Sequence, residues 1–198
     1  MTPKLVPASI DEAALASRLL SGPTCSAADA AALVPCGPGY YAIYVADAGN
    51  LPGPYCDLLR RGGTGLMYIG IATVSLNGRL VEQDLQHKNP STFFRGIGAI
   101  LGYRPQPGSL VGKKRQNNYK FSPADTAAIV CWINEHVSVS WVAAKPALKG
   151  IEASLLRTSR PILNTAHNPE SVAELAALKA ECRRIAVGMP GSASRGAR

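Results

Sequence analysis

Two stretches, GYYAIYVA at residues 39–46 and LMYIGIATV at residues 66–74, decide the fold. Each is short and rich in aromatic and β-branched residues, a composition that suits a pleated, largely buried surface. Both read as strands, and two strands met in succession are most simply antiparallel neighbours. The segment between them, AGNLPGPYCDLLRRGGTG, is dense in Gly and Pro. At about 20 residues it exceeds the usual connection, so 46–65 reads as a functional insertion or a mobile flap.

Downstream, NGRLVEQDLQHK (77–88) and STFFRGIGAILG (91–102) read as helices. A loop, YRPQPGSLVGKKRQNNYKF, leads to SPADTAAIVCWINEH, a helix signalled by Ser122 as N-cap, Pro123 in the first turn and Asp125 at the third position. VSVSWVAA is a third strand with Trp141 in it, and Trp141 and Trp132 read as core. A helix from about Lys149 to Ser159 stops before Pro161, and a last one runs from Asn168-Pro169 to about Ala186. Upstream, residues 1–35 read as an extension of two Ala-rich helices, opened by Ser9 with Glu12 and by Ser26 with Asp29. The expected architecture is α+β, a small three-stranded antiparallel sheet flanked by helices. Residues 36–168 form its central domain, 169–187 a C-terminal helix and 188–198 a disordered basic tail.

The chain has 198 residues and is 46% hydrophobic, enough to bury a core. No apolar run approaches the roughly 18–20 residues that would cross a membrane. MTPKLVPASIDEAALASRLL carries acids where a signal peptide needs an apolar stretch, so a cytoplasmic location is expected. Five Cys (25, 36, 56, 131, 182) lie far apart with no CxxC, which points away from a disulfide framework or a zinc site and reads as reduced, mostly buried thiols.

Lys and Arg exceed Asp and Glu by 21 to 13, a net charge of +8 that raises a polyanionic partner. The excess is concentrated. Between Asp84 and Asp125 there is no acid, while Lys88, Arg95, Arg104, Lys113, Lys114, Arg115 and Lys120 all fall there. Tyr103, Asn117, Asn118 and Tyr119 are interleaved with them, groups that donate to phosphate oxygens or stack on bases. The segment reads as a nucleic-acid grip. Other motifs fail: GGTG at 62–65 lacks the Lys-Ser/Thr of a phosphate loop, and Gly96, Gly98 and Gly102 follow no strand.

Tyr41, Tyr68, Arg79 and Glu152 are each ordinary alone, but their combination is not. Gly39-Tyr40-Tyr41, then Tyr68-Ile69-Gly70, Arg79 in the next helix, Glu152 in a later one and Asn164 after Arg160-Pro161-Ile162-Leu163 together resemble the GIY-YIG nuclease superfamily, over about residues 39–167. The resemblance implies a divalent-metal-dependent endonuclease cutting DNA phosphodiester bonds. It implies Tyr41 as general base or water-orienting phenol, Tyr68 as its neighbour in the pocket and Arg79 as the phosphate-neutralising cation. Glu152 would be the carboxylate ligand of Mg²⁺ or Mn²⁺, and Asn164 a positioning residue. Many members carry a His or Tyr one helical turn after the Arg; Gln83 stands there, and His87, a further turn along, is the candidate substitute. The alternatives are a catalytically inactive nucleic-acid-binding module of the same fold, or an interaction domain whose basic loop meets an acidic protein.

Overall fold

Strand β2 (Gly39–Val45) is buried at all seven positions, because it runs between β3 (Leu66–Ala72) and β4 (Val137–Ala143), antiparallel to both. A strand covered on both faces has no reason to alternate apolar and polar residues. GYYAIYV does not. In this computed structural model, which describes residues 12–114, 118–145, 150–164 and 173–188, the domain is α+β. A two-residue strand, β1 (Cys25–Ser26), pairs with β4, so the sheet has four strands in the order β1-β4-β2-β3 rather than three. Two residues carry no periodicity to read, and Ser26 had looked like a helix cap. Its hydroxyl does bond Asp29, donating to Oδ2 (2.6 Å) and accepting from Asp29 N (3.1 Å), but the helix beyond, α2 (Ala30–Leu33), lasts only one turn.

The two faces of β2 bury different partners. Tyr40, Ala42 and Tyr44 pack on Leu15 and Leu19 of α1 (Glu12–Ser21) and on Ile151, Leu155 and Leu156 of α6 (Gly150–Ser159). Tyr41, Ile43 and Val45 enter the larger core, shared with Phe93, Phe94 and Ile97 of α4 (Thr92–Ile100) and Ile129 and Ile133 of α5 (Pro123–His136). Helix α7 (Ala173–Ala186) covers α4 through Leu175, Cys182 and Ala186. The caps expected of α5 are present, with Ser122 Oγ accepting from Asp125 N at 3.0 Å. Gly39 opens β2 because a Cβ there would lie 2.4 Å from Val142 O and 2.7 Å from Leu76 Cδ1.

Several expectations change. The 46–65 connection is no flap: it holds helix α3 (Gly53–Gly62), whose Tyr55 and Leu59 enter the main core and whose Cys56 is also buried. Residues 77–85 form a π-helix, not an α-helix. Cys56 and Cys182 are buried, but Cys36 and Cys131 are exposed, and none of the five is in a disulfide. Trp132 and Trp141 are half-buried at the rim of the core. Ser9, the start of the last helix at 168–169 and most of the 188–198 tail lie outside the described residues. Among the described residues, no helix is long and apolar enough to cross a membrane.

Candidate active site

The pairing of β2 with β3 brings the two tyrosine motifs together. Tyr41 pairs with Gly70 and Ile43 with Tyr68, so the two rings lie diagonally on one face, 6.3 Å apart and 38° inclined. Gly70 is required by its neighbour: a Cβ there would stand 2.2 Å from Tyr41 Cζ and Oη. Tyr68 is held from the other side by Phe93, at 5.7 Å between centroids.

The π-helix supplies the next layer. Leu76 N bonds to Gly37 O (2.7 Å) and Asn77 N to Pro35 O (3.0 Å), which ties its start to the entry of β2. In a π-helix hydrogen bonds run from i to i+5, and the wider turn brings i+5 as well as i+4 near residue i. Here Asp84, five residues after Arg79, pairs with it, while the side chain of Gln83 donates to Pro90 O at 2.6 Å. Asp84 is buried completely. It ion-pairs with Arg79 Nη1, accepts from Tyr41 Oη at 2.5 Å and accepts from Ser91 Oγ at 2.6 Å. Ser91 is also the N-cap of α4, accepting from Phe94 N at 2.9 Å. One carboxyl thus joins β2, the π-helix and α4.

Sequence reasoning missed Asp84 because the position it weighed after Arg79 was Gln83, one α-helical turn on. A signal was present: Leu80, Val81 and Leu85 mark the apolar face of the segment, and an acid at position 84 falls on it.

Charge follows from this burial. Tyr41 is wholly enclosed, and burial, with the Asp84 carboxyl beside it, holds its hydroxyl protonated well above the ordinary phenol range. Tyr68 is pushed up to about 12 by burial and by Asp84, while the positive charge of Arg79 pulls the other way. Burial opposes the charge on Arg79, but Asp84, Tyr41 and Tyr68 outweigh it and keep the guanidinium cationic. Asp84 itself is raised by burial, against the opposing pull of Arg79, Ser91 and Tyr41. Arg79 retains 27% exposure of its side chain, so it is the cation of the network that reaches solvent.

Asn164 and Glu152 approach from the β3 edge. Asn164 Oδ1 accepts from Ile69 N and its Nδ2 donates to Ile69 O, both at 2.9 Å, and Leu163 N bonds to Met67 O at 2.9 Å. Residues 163–164 thereby cover the open edge of β3 and fix the strand that carries Tyr68. Glu152, half-exposed in the first turn of α6, lies close enough to Tyr68 for its charge to raise that phenol. Among the described residues no three His, Cys, Asp or Glu gather as a metal cluster. A lone accessible carboxylate suits a hard ion that keeps its waters, such as Mg²⁺ or Mn²⁺, and would not satisfy zinc.

The remaining candidates scatter. His87, at φ 55°, stacks on Phe94 (4.1 Å, 7°) outside the tyrosine cluster, and burial followed by the charges of Arg95 and Lys120 lowers it to about 4. Lys88 is exposed and pairs with Glu82 at 3.0 Å. Arg104 is committed to Glu181 (3.1 Å) and to the carbonyls of Ala99 and Tyr103, so it ties α4 to α7 instead of projecting. Tyr119 is buried, with the Arg95 guanidinium 5.7 Å from its ring centre, and is not open to a base. Lys113, Lys114 and Lys120 are exposed, Asn118 is half-buried, and Arg115 and Asn117 lie outside the described residues.

Compared with known families, the chain matches the GIY-YIG catalytic domain over residues 39–184. Neither a curated protein nor a solved structure matches it.

Proposed function

The chain belongs to the GIY-YIG nuclease superfamily, and on that footing we propose that it is a divalent-metal-dependent endonuclease hydrolysing DNA phosphodiester bonds. One observation carries the reading. Tyr41 and Arg79 both bond one buried carboxyl, and Tyr68, packed beside Tyr41, lies within electrostatic reach of Arg79 and Glu152. Phosphodiester hydrolysis asks for a fixed cation at the phosphate, a group that orients the water, and help for the departing oxygen.

Arg79 serves the first need. Its pairing with Asp84 fixes the guanidinium while leaving part of it exposed to a phosphate. Between the two phenols, Tyr68 is the better placed to meet the attacking water: it stands among Arg79 and Glu152, whereas the hydroxyl of Tyr41 is enclosed and already donates to Asp84. The water-orienting role expected of Tyr41 passes in this reading to Tyr68, and Tyr41 with Asp84 positions Arg79. Glu152 would hold the Mg²⁺ or Mn²⁺. Such an ion, when bound, supplies Lewis acidity at the phosphate oxygens and makes water more acidic. Asn164 keeps Tyr68 in place through Ile69.

The test is cleavage of supercoiled plasmid and of a labelled single strand with Mg²⁺, Mn²⁺ or EDTA, for the wild type, Glu152→Ala and Arg79→Ala. Metal-dependent cutting lost in both variants is the expected result. Tight, salt-sensitive binding with no cutting by the wild type would replace the reading with a binding module of the same fold.

A further inference from the structure

The acid-free stretch does not fold into one basic patch; one of its half-buried cations, Arg95, lies within electrostatic reach of a second from elsewhere in the chain, Lys179, outside the tyrosine cluster. Arg95 stands on α4 one turn beyond Ser91, the residue that bonds Asp84, and its backbone N–H bonds to Ser91 O at 3.3 Å. Asp84 and Tyr68 both lie within electrostatic reach of its guanidinium. Its Nη1 is enclosed and has no hydrogen-bond partner. Lys179 comes from α7. A Cβ placed on Gly96 would be 3.7 Å from Lys179 Cε, ordinary contact distance, so the lysine stem lies across α4 next to Arg95. The ammonium has Leu163 O at 3.5 Å, too long to be a strong bond.

Among the described residues neither Arg95 nor Lys179 ion-pairs with a carboxylate, although Arg79, Lys88 and Arg104 each do. Burial and the positive charges of Arg95 and Arg183 bring Lys179 down to about 8, as expected of cations held together without an anion. Partly buried charges of one sign are costly unless a ligand compensates them. Arg183, exposed, adds its positive charge near Lys179.

We propose that Arg95 and Lys179 form a second phosphate subsite, holding a backbone phosphate of the same nucleic-acid strand that is attacked at Arg79. This rests on the nuclease reading and extends it to a helix outside the basic segment. A strand so held would run from Glu152 and Tyr68, past Arg79, to the α4–α7 crossing. Its register on the enzyme would be set by the spacing of two phosphates and not by any base, since phosphate contacts position without reading sequence.

The experiment measures binding of a labelled duplex and a labelled single strand to the full chain in EDTA across a salt series, for wild type, Lys179→Met, Lys179→Arg and the exposed control Arg18→Ala. Thermal melts establish that each variant is folded, and Lys179→Gln replaces Lys179→Met if that variant is not. Loss of one phosphate contact lowers the slope of log Kd against log salt by about 0.9 on duplex or about 0.7 on a single strand. Lys179→Met should show that drop, Lys179→Arg should restore it, and Arg18→Ala should match wild type. With Mg²⁺, Lys179→Met should raise KM for the oligonucleotide while leaving hydrolysis of the p-nitrophenyl ester of thymidine monophosphate, which has no second phosphate, unchanged. An unchanged slope in Lys179→Met overturns the subsite and leaves the nuclease reading standing. Equal losses on the ester and the oligonucleotide also overturn it, because the lysine would then act at the attacked phosphate. A wild type that neither binds nor cuts removes the nuclease reading itself.

Discussion

Replacing Asp84 with Asn tests whether one carboxyl holds the site together. Asn keeps the shape and one acceptor, but turns the other oxygen into an NH₂ that must face a donor, since Tyr41, Ser91 and Arg79 all point their protons at this group. Breaking a buried pair from one side costs about 3–5 kcal/mol. The 27% exposure of Arg79 lets water take up part of the abandoned charge, which places the expected loss near the low end, about 3 kcal/mol. For a chain of this size that is a fall of about 6–12 °C in Tm. A second variant isolates the tyrosine: Tyr41→Phe should cost about 1.5–3 kcal/mol in the wild type, as a hydrogen bond to a charged group does, and much less once Asp84 is Asn. Activity, read at low temperature where both proteins are folded, should fall about 10²-fold in kcat as Arg79 loses its fixed position. Calorimetry on the four proteins of the cycle, with cleavage rates alongside, reads all of this. The reasoning fails if Asp84→Asn melts within about 2 °C of wild type, or if Tyr41→Phe costs the same in both backgrounds.

Further expectations concern the frame around that carboxyl. Gly70→Ala drives a methyl into the ring of Tyr41 and should destabilise by about 3 kcal/mol or more; Gly62→Ala, where a Cβ meets nothing within 4 Å, is the control, and equal melts for the two would contradict the register. Asn164→Ala strands both the N–H and the C=O of Ile69, a loss of about 2–4 kcal/mol, and should speed hydrogen exchange at the Ile69 amide; unchanged protection there would mean the edge is held by something else. His87 is lowered from 6.5 to about 4, so its neutral form contributes stability above about 6.5 that is lost as pH falls through about 4. Wild type should therefore lose more Tm than His87→Gln on going from neutral pH to pH 4, and parallel curves would refute it.

How far the sequence could be read depended on whether a feature repeats. Strands β2 and β3 were legible because six of the seven residues in each are aromatic or aliphatic, and α5 because Ser122, Pro123 and Asp125 mark its start. Strand β1 was not, since two residues leave no pattern and its existence depends on β4, more than a hundred residues away. Helix α3 lay hidden behind its glycines and prolines, although Tyr55, Cys56 and Leu59 occupy one helical face. At the site, Tyr41, Tyr68, Arg79 and Asn164 lie around β3. The buried partner of Arg79, Asp84, was passed over because the position weighed after the arginine was Gln83, one α-helical turn on. In the basic segment, counting charges could not distinguish Arg104, spent on Glu181, from Lys120 in solvent.

Ser91 carries a consequence for which residues that position can accept. Its oxygen receives the Phe94 amide while its single proton goes to Asp84. Asp and Asn, equal to serine as helix starters elsewhere, cannot take over both tasks: the first has no proton to give at neutral pH and would set two carboxylates together, and the second would swing a bulkier amide into a fully enclosed space. Threonine keeps the hydroxyl but brings a methyl into the same enclosure. The start of one helix and the charge balance of the site are therefore written in the same atom, so a drift in sequence that would be silent at any other cap is felt here by Arg79.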